Sequence, residues 1–291
     1  MSHPLYDDAP RRESHPLSDP PPKPKPPRGT IVLAERDAVL TLILVVVNVA
    51  LFILMSLQEP TRCQVVSRFR WIEAPLFCAG ALFPTEVFAE GALYRLVTAM
   101  FLHGSLPHLV FNMFALYYLG SDVERTFGRW RFLVLYLLGG LGGSVLSAGI
   151  GDYDVASVGA SGAIFAIWGA QALHAYRHRA LMGDFARQIL QNSAFFLLAN
   201  LAIGFMPGSR IDNWGHIGGL LGGLALAWLV GPRYQLRIVG TPEEGRVRMQ
   251  AIDAQPFHLG EQTTLARLGF YTFGLLLILF IGWVGYGLSL F

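Results

Sequence analysis

Apolar segments of about twenty residues recur along this chain, and they constrain its fold more than any other feature. A helix of that length crosses about 30 Å of hydrocarbon, and backbone in lipid must satisfy its hydrogen bonds internally. Only 14% of the residues are charged, whereas soluble domains carry about a quarter. The sequence therefore predicts an all-α, polytopic membrane helical bundle.

We predict seven spanning helices, with the seventh as an appendage to a core of six. Their approximate residues are 38–57, 106–123, 132–150, 161–176, 189–206, 215–231 and 267–290. The expected organisation is a Pro-rich cytoplasmic tail at 1–33, a six-span core at 34–231 with a long outer loop at 58–105, a cytoplasmic linker at 232–266 and a final helix at 267–291. Nine of the 17 prolines lie in the first 30 residues, so we expect the tail to be disordered, with binding of a Pro-rich-motif partner as the alternative.

Basic residues are distributed unequally between the two sets of connections. Of the 22 Lys and Arg residues, 17 lie in the tail and in the connections predicted on its side, and five lie on the other side. The positive-inside rule then places the N-terminus in the cytoplasm and the C-terminal end outside. The short loops and the absence of a recognisable transit peptide favour a multi-pass protein of a bacterial inner membrane.

The outer loop contains both cysteines, Cys63 and Cys78. On a periplasmic or extracellular face they would meet an oxidising environment, in which disulfides persist. The sequence leaves open whether the two are bridged.

Three predicted spans that run in the same direction carry polar residues in their first turns. The second span has His108 and Asn112, which are four residues apart and share a helix face; the fourth has Ser161 and the sixth has His216. Alone, each has a structural explanation, such as a serine at a helix interface or a satisfied core histidine. Their common depth near the outer surface instead favours a functional site.

Small residues surround these polar groups. Gly215, Gly219 and Gly223 recur at four-residue spacing, which lets another backbone approach closely. If that backbone belongs to the fourth span, Gly159 and Gly162 clear space around Ser161, and the His216 imidazole reaches the hydroxyl, as an activated serine requires. The helix N-terminus at Ser161, with Asn112 and His108 as further donors, is suited to stabilising an oxyanion.

These motifs together resemble the rhomboid intramembrane serine proteases. The resemblance rests on GASG at 159–162, H-x-x-x-N at 108–112 and GHIGG at 215–219, and it covers about 35–231. Three lesser features agree with it: the Tyr94-Arg95 pair, Glu124 with Gly128, and the arrangement of six spans plus one.

The resemblance implies a Ser–His dyad that cuts another membrane protein's helix near its outer end. Ser161 would be the nucleophile and His216 the general base, and His108, Asn112 and the Ser161 backbone N–H would form the oxyanion hole. Phe165 stands where the family often has Tyr, and Tyr94 replaces the commoner Trp. The supporting residues are Gly159, Gly162, Phe165, Gly215, Gly219, Tyr94, Arg95 and Glu124. The implied partners are single-span membrane substrates and the lipid bilayer, with the fifth span as their gate; nucleic acid, metal and cofactor are not expected.

Several alternatives compete with this interpretation. Asp212, four residues before His216, is either a third catalytic group or, as we favour, a helix cap or a solvated side chain. The GIGD motif at 149–152 lacks the second intramembrane carboxylate of an aspartyl protease, and the H-E-x-x-H motif of zinc proteases is absent. Three alternatives remain. Three histidines at one depth could bind a metal, the chain could be a catalytically inactive rhomboid-like module that binds membrane proteins, or it could be a non-enzymatic transporter-like bundle.

Overall fold

The computed structural model describes residues 37–60, 63, 74–153, 155–209, 211–239, 248–254 and 257–289. The predicted Pro-rich tail at 1–33 lies outside the described residues, as does part of the predicted linker. The described chain forms a helical bundle, which confirms the predicted fold class, together with one β-hairpin that we did not predict.

The helices follow the predicted apolar segments, with shorter helices in the outer loop. In chain order they are α1 (Val39–Ser56), α2 (Pro75–Gly80), α3 (Pro84–Ala89), α4 (Arg95–Thr98, continued by a 3₁₀ turn at Ala99–Phe101), α5 (Leu106–Ala115), α6 (Ser121–Phe127), α7 (Arg129–Val134), α8 (Gly140–Ile150), α9 (Ser161–Arg177), α10 (Arg179–Met182), α11 (Asp184–Gly204), α12 (Asn213–Val230) and α13 (Gln262–Ser289). One π-helical turn at Leu116–Gly120 joins α5 to α6, and another at Leu135–Gly139 joins α7 to α8.

Three of the described helices are long and apolar enough to cross a membrane: α1, the joined α7–α8 helix and α13. The segments Arg95–Phe101 and Leu106–Phe127 pass the same test only as a pair bent by 90°. The other predicted spans correspond to α9, α11 and α12, of which α9 has only 17 residues and α12 begins with polar side chains. α9 is thus too short for this test, and the polar residues at the start of α12 lower the hydropathy of that helix, so the count of six spans plus one stays a prediction.

α12 packs against α8 and α9 through its glycines. A Cβ at Gly218 would meet the carbonyl oxygen of Gly142 in α8, and a Cβ at Gly219 would meet that of Gly162 in α9. One turn further on, a Cβ at Gly223 would meet the backbone of Ala166 in α9. The absence of side chains at these positions allows the helix backbones to touch.

Glu124 joins α6 to the start of α1. Its fully buried carboxylate accepts hydrogen bonds from the Leu40 and Thr41 backbone N–H groups (3.0 and 2.7 Å) and from the Thr41 hydroxyl (2.8 Å). The first N–H groups of a helix lack partners within it, and no side chain at the N-cap of α1 supplies one. Glu124 therefore caps α1 from a neighbouring helix.

The described part of the loop predicted at 58–105 is organised around Arg95. Its buried guanidinium donates to the carbonyl oxygens of Cys78 and Ala81, both at 2.8 Å, and pairs with Glu86. A disulfide joins Cys63 to Cys78 and closes the same loop, which answers the question that the sequence left open.

The hairpin pairs β1 (Tyr234–Val239) with β2 (Arg248–Asp253) in antiparallel register, with Tyr234 opposite Asp253. The Tyr234 hydroxyl donates to the carbonyl oxygen of Thr126 (2.6 Å), and Arg131 pairs with Asp253 (2.7 Å). These bonds attach the hairpin to the ends of α6 and α7.

The last helix, α13, packs against the core. The Tyr271 hydroxyl donates to the carbonyl oxygen of Leu138 (2.9 Å), and Leu275 is buried in the core. Gly282 lies so close to Gly149 of α8 that a Cβ there would approach the Gly149 Cα to 2.7 Å. α13 is therefore an integrated part of the bundle.

Candidate active site

Ser161 is the first residue of α9 and follows the loop at 155–160. It is partly exposed, and its hydroxyl makes no hydrogen bond to any residue that the structure describes. The first N–H groups of a helix have no hydrogen-bond partners within the helix. At Ser161 the hydroxyl and a backbone N–H of this kind therefore belong to the same residue.

Gly159 brings α5 up to this loop. Its φ of +125° is a conformation that favours glycine, and its N–H donates to the carbonyl oxygen of Ala99 at 2.9 Å. A Cβ at Gly159 would lie 2.8 Å from His108 Nε2 and 3.4 Å from Asn112 Nδ2. Both predicted oxyanion donors therefore pack on the backbone two residues before Ser161.

The Asn112 side-chain amide carries a donor that none of the described residues accepts. The side chain is 7% exposed, and Nδ2 has no hydrogen-bond partner among the described residues. Leaving a buried amide group unpaired costs about 1–3 kcal/mol. Such a group is suited to a bound acceptor.

The start of α5 orients His108. Ser105 caps this helix, since its hydroxyl oxygen accepts from the His108 N–H at 3.4 Å. The fully buried His103 ring contacts the His108 ring edge to face, with 5.1 Å between centroids. We did not predict a role for His103; its only signal was its position five residues before His108 in the HGSLPH stretch.

His216 lies in the first turns of α12 and is 6% exposed. Its ring stacks on Phe165 of α9, with 4.1 Å between centroids and 15° between planes. Phe165 is four residues after Ser161, and residues at this spacing lie on one helix face. The structure therefore brings His216 to the face of α9 that begins with Ser161.

Glycine contacts bracket the turn of α12 that carries His216. The Gly215 carbonyl oxygen is 3.4 Å from the position that a Cβ at Gly162 would take, and the Gly162 carbonyl oxygen blocks a Cβ at Gly219. One contact precedes His216 and the other follows it. Because one contact lies on each side of His216, the two contacts together set the distance between the imidazole and α9.

Asp212 does not bind the imidazole. Its Oδ1 accepts from the Gly215 N–H (2.8 Å), and its Oδ2 accepts from the hydroxyls of Ser147 (2.6 Å) and Ser157 (2.5 Å). These bonds make Asp212 the N-cap of α12, the alternative that we favoured. They also link α12 to α8 and to the loop before α9, through two serines that no motif identified. His216 Nδ1 is buried and has no hydrogen-bond partner in the described part of the chain.

Three of the predicted supporting residues lie elsewhere in the molecule. Glu124 caps α1, Arg95 organises the outer loop, and Tyr94 is 56% exposed beside the Arg95 guanidinium. The contacts that Glu124 and Arg95 make stabilise the fold and include neither Ser161 nor His216. Within the described residues, no cluster of three or more His, Cys, Asp or Glu side chains is arranged to hold a metal ion.

Comparison with known proteins finds a match to the Rhomboid domain family over residues 90–233. This range contains all four candidate catalytic residues: His108, Asn112, Ser161 and His216. The relatives include Rhomboid protease GluP of Bacillus subtilis (strain 168), which is 43% identical over 146 residues, or 50% of this chain and 28% of the relative. RHOMBOID-like protein 2 of Arabidopsis thaliana is 38% identical over 157 residues, or 53% of this chain and 48% of the relative. Rhomboid-like protease 1 of Toxoplasma gondii is 33% identical over 156 residues, or 52% of this chain and 51% of the relative. The match thus spans about half or less of the length of these relatives.

Proposed function

The chain belongs to the rhomboid family, and from that premise we propose that it is an intramembrane serine endopeptidase with a Ser161–His216 dyad. The proposed substrate is a single-span membrane protein, cut near the outer end of its helix. One observation carries the proposal. His108 and Asn112 pack on Gly159, two residues before Ser161, while His216 stacks on Phe165, one turn after it.

In the first proposed step, the Ser161 Oγ attacks the carbonyl carbon of the scissile peptide and His216 takes the hydroxyl proton. Negative charge develops on the former carbonyl oxygen. The Asn112 amide, a His108 ring N–H and the Ser161 backbone N–H donate hydrogen bonds to it. Donors fixed in advance in a site that excludes much water stabilise such charge effectively.

The tetrahedral intermediate then collapses as the C–N bond breaks. The leaving amine takes its proton from the His216 imidazolium, and the acyl group stays on Ser161 as an ester. Water entering from the outer side loses a proton to His216 and attacks this ester. Cleavage of the ester bond releases the new carboxylate and returns the proton to Ser161.

The proposed base works without an orienting carboxylate. In Ser–His–Asp enzymes the Asp holds the imidazole in position, whereas the Asp212 hydrogen bonds go to Ser147, Ser157 and Gly215. Stacking on Phe165 supplies the orientation here, because it fixes the plane of the ring.

We further propose that the site end of the bundle faces outward and the N-terminus lies in the cytoplasm of a bacterial cell, with six spans plus one in its inner membrane. Support comes from the opposite end of α12. There Arg131 donates to the carbonyl oxygen of Val230, Arg177 to that of Ala227 and Arg267 to that of Leu229. Arginines at a helix C-terminus complement its partial negative charge, and their position agrees with the positive-inside rule.

The test is cleavage of a single-span model substrate by the reconstituted full chain. We expect Ser161→Ala and His216→Ala each to lower the cleavage rate by at least about 10³-fold. The matched controls are Ser144→Ala, on the partly buried surface of α8, and His258→Ala, which is exposed; both should cleave like the wild type. Cleavage that persists in Ser161→Ala would contradict the proposed function.

A further inference from the structure

α11 is attached to the bundle by few polar contacts. Ala186 and Ser193 are its buried residues, and large apolar side chains such as Phe195 and Leu198 are more than 60% exposed. In the described part of the chain, two side-chain hydrogen bonds join α11 to other helices. One runs from the Asn213 amide to the carbonyl oxygen of Leu201 (3.2 Å), and the other from the Trp168 indole N–H to the Ser193 hydroxyl (3.1 Å).

The second bond begins a continuous set of ring contacts that ends at His216. Trp168 contacts Phe165 edge to face, with 6.1 Å between ring centroids. Phe165 in turn stacks on His216 at 4.1 Å. Trp168 also contacts Phe196 of α11 at 5.8 Å, so the indole lies between α11 and the ring beneath the imidazole.

The imidazole depends on this packing because no hydrogen bond orients its Nδ1 within the described residues. Aromatic pairs prefer particular relative orientations, so the plane of Phe165 sets the plane of His216. A shift of Trp168 changes the surface against which Phe165 packs. The Ser193 hydroxyl, only 3% exposed, holds the indole in one orientation.

We propose that Trp168 is a positioning residue that couples the position of α11 to the orientation of the His216 imidazole. This inference rests on the proposed function of His216 as the general base. The inference has a specific consequence. If an apolar helix packs on the exposed face of α11 and shifts α11, the rate of the chemical step changes as well as substrate binding. A Trp168 that merely filled space would affect folding stability and leave the chemistry of the folded enzyme unchanged.

The test is a double-mutant cycle on the full chain, with Trp168→Phe, Ser193→Ala and the double variant. Trp168→Phe keeps a ring against Phe165 and removes the N–H, and Ser193→Ala removes the acceptor. Ser193→Thr retains a hydroxyl and serves as the rescue variant. Trp283→Phe, at an exposed tryptophan of α13, is the matched control. Two rates are measured: labelling by a small fluorophosphonate, which reports the reactivity of Ser161 without a substrate helix, and cleavage of a single-span substrate.

We expect each single variant to slow labelling and to lower kcat by roughly two- to tenfold, the range set by one net hydrogen bond, with KM unchanged. The double variant should be no slower than either single one, because both remove the same bond. Ser193→Thr and Trp283→Phe should match the wild type. Wild-type labelling rates in Trp168→Phe, with or without a change in cleavage, would overturn the coupling to His216 and leave the proposed function standing. Labelling that is absent in the wild type or persists in Ser161→Ala would overturn both.

Discussion

At the scale of single residues, the Asn112 amide determines how the site is interpreted. Its nitrogen is buried, has no hydrogen-bond partner among the described residues and lies 3.4 Å from where a Cβ of Gly159 would be. Proteins rarely leave buried donors unpaired, because each costs stability. The proposed function assigns this donor to a charge that forms only during the reaction, since such donors act in the transition state.

Asn112→Ala should therefore lower kcat by about 10²–10³-fold and leave KM nearly unchanged. Steady-state cleavage of a single-span substrate measures both constants. Asn192→Ala, at an exposed position of α11, is the matched control and should have no effect. A rise in KM with unchanged kcat would mean that Asn112 binds the substrate in its ground state and has no role as an oxyanion donor.

At the scale of helices, glycine contacts position the candidate dyad. α12 approaches α9 until the Gly162 carbonyl oxygen occupies the space where a Cβ of Gly219 would be. His216 lies one turn before this contact. Any side chain at Gly219 must separate the two helices, and the imidazole moves with α12.

Gly219→Ala should reduce cleavage by about 10²-fold or more, because a displacement of about 1 Å between reacting groups costs that much. The folded protein should also be less stable, which a thermal unfolding curve in detergent measures. Gly269→Ala, in α13, meets nothing within 4 Å and controls for the extra methyl group. Wild-type activity in Gly219→Ala would show that the α9–α12 distance does not limit catalysis.

The sequence predicted those parts of the site that follow from local spacing. His108 and Asn112 are one turn apart on one helix, and the glycines recur every four residues on another. Each pattern lies within a single helix, so it can be recognised from the spacing in the sequence. The bond between Trp168 and Ser193 joins two helices across 25 residues and has no periodic signal. The hydroxyls of Ser147 and Ser157 on Asp212 are equally non-local. The hairpin strand Tyr234–Val239 lies in a polar linker, where short β-rich segments give a weak signal.

At the scale of the whole molecule, the disulfide strengthens the end of the bundle at which Arg95 lies. It joins Cys63 to Cys78 across 15 residues in the loop that Arg95 also organises. Closing a loop of this length stabilises the folded state by about 3 kcal/mol in the chain-entropy account.

Reductant should therefore lower the Tm of the wild-type protein, measured by thermal unfolding in detergent. The double variant Cys63→Ala with Cys78→Ala should unfold at the lower temperature whether or not reductant is present. A wild-type Tm that does not respond to reductant, after free thiols have been shown to form, would contradict a stabilising role for the bridge.

The opposite end of the molecule contains a contact that depends on pH. His178, just after α9, accepts the Tyr234 N–H at Nε2 (3.0 Å) and faces the His174 carbonyl oxygen with Nδ1 (2.9 Å). Burial lowers the pKa of His178 below its ordinary value of 6.5; Arg177 also lowers it, whereas the bond to the His174 backbone and the charge of Asp253 oppose the shift. Only the neutral ring accepts the Tyr234 N–H. The stability that this contact gives to the attachment of β1 is therefore fully present above the ordinary pKa, declines as the pH falls below it, and is lost once the pH has passed through the lowered pKa of the folded state.

Hydrogen exchange at the Tyr234 amide tests this contact. We expect its protection factor, corrected for intrinsic exchange, to fall between pH 7.5 and pH 5.5. His178→Gln keeps an acceptor and cannot titrate, so its protection should be the same at both values. Equal protection of the wild type at both values would contradict the role of His178.

The central claim, that Ser161 is a nucleophile activated by His216, is tested most directly by locating a covalent adduct. The reconstituted chain is treated with a fluorophosphonate, digested and analysed by mass spectrometry, beside His216→Ala and the control His258→Ala. The account predicts one adduct, on Ser161, that forms at the wild-type rate in His258→Ala and is lost in His216→Ala. An adduct on another residue, or one on Ser161 that forms equally fast in His216→Ala, would contradict it.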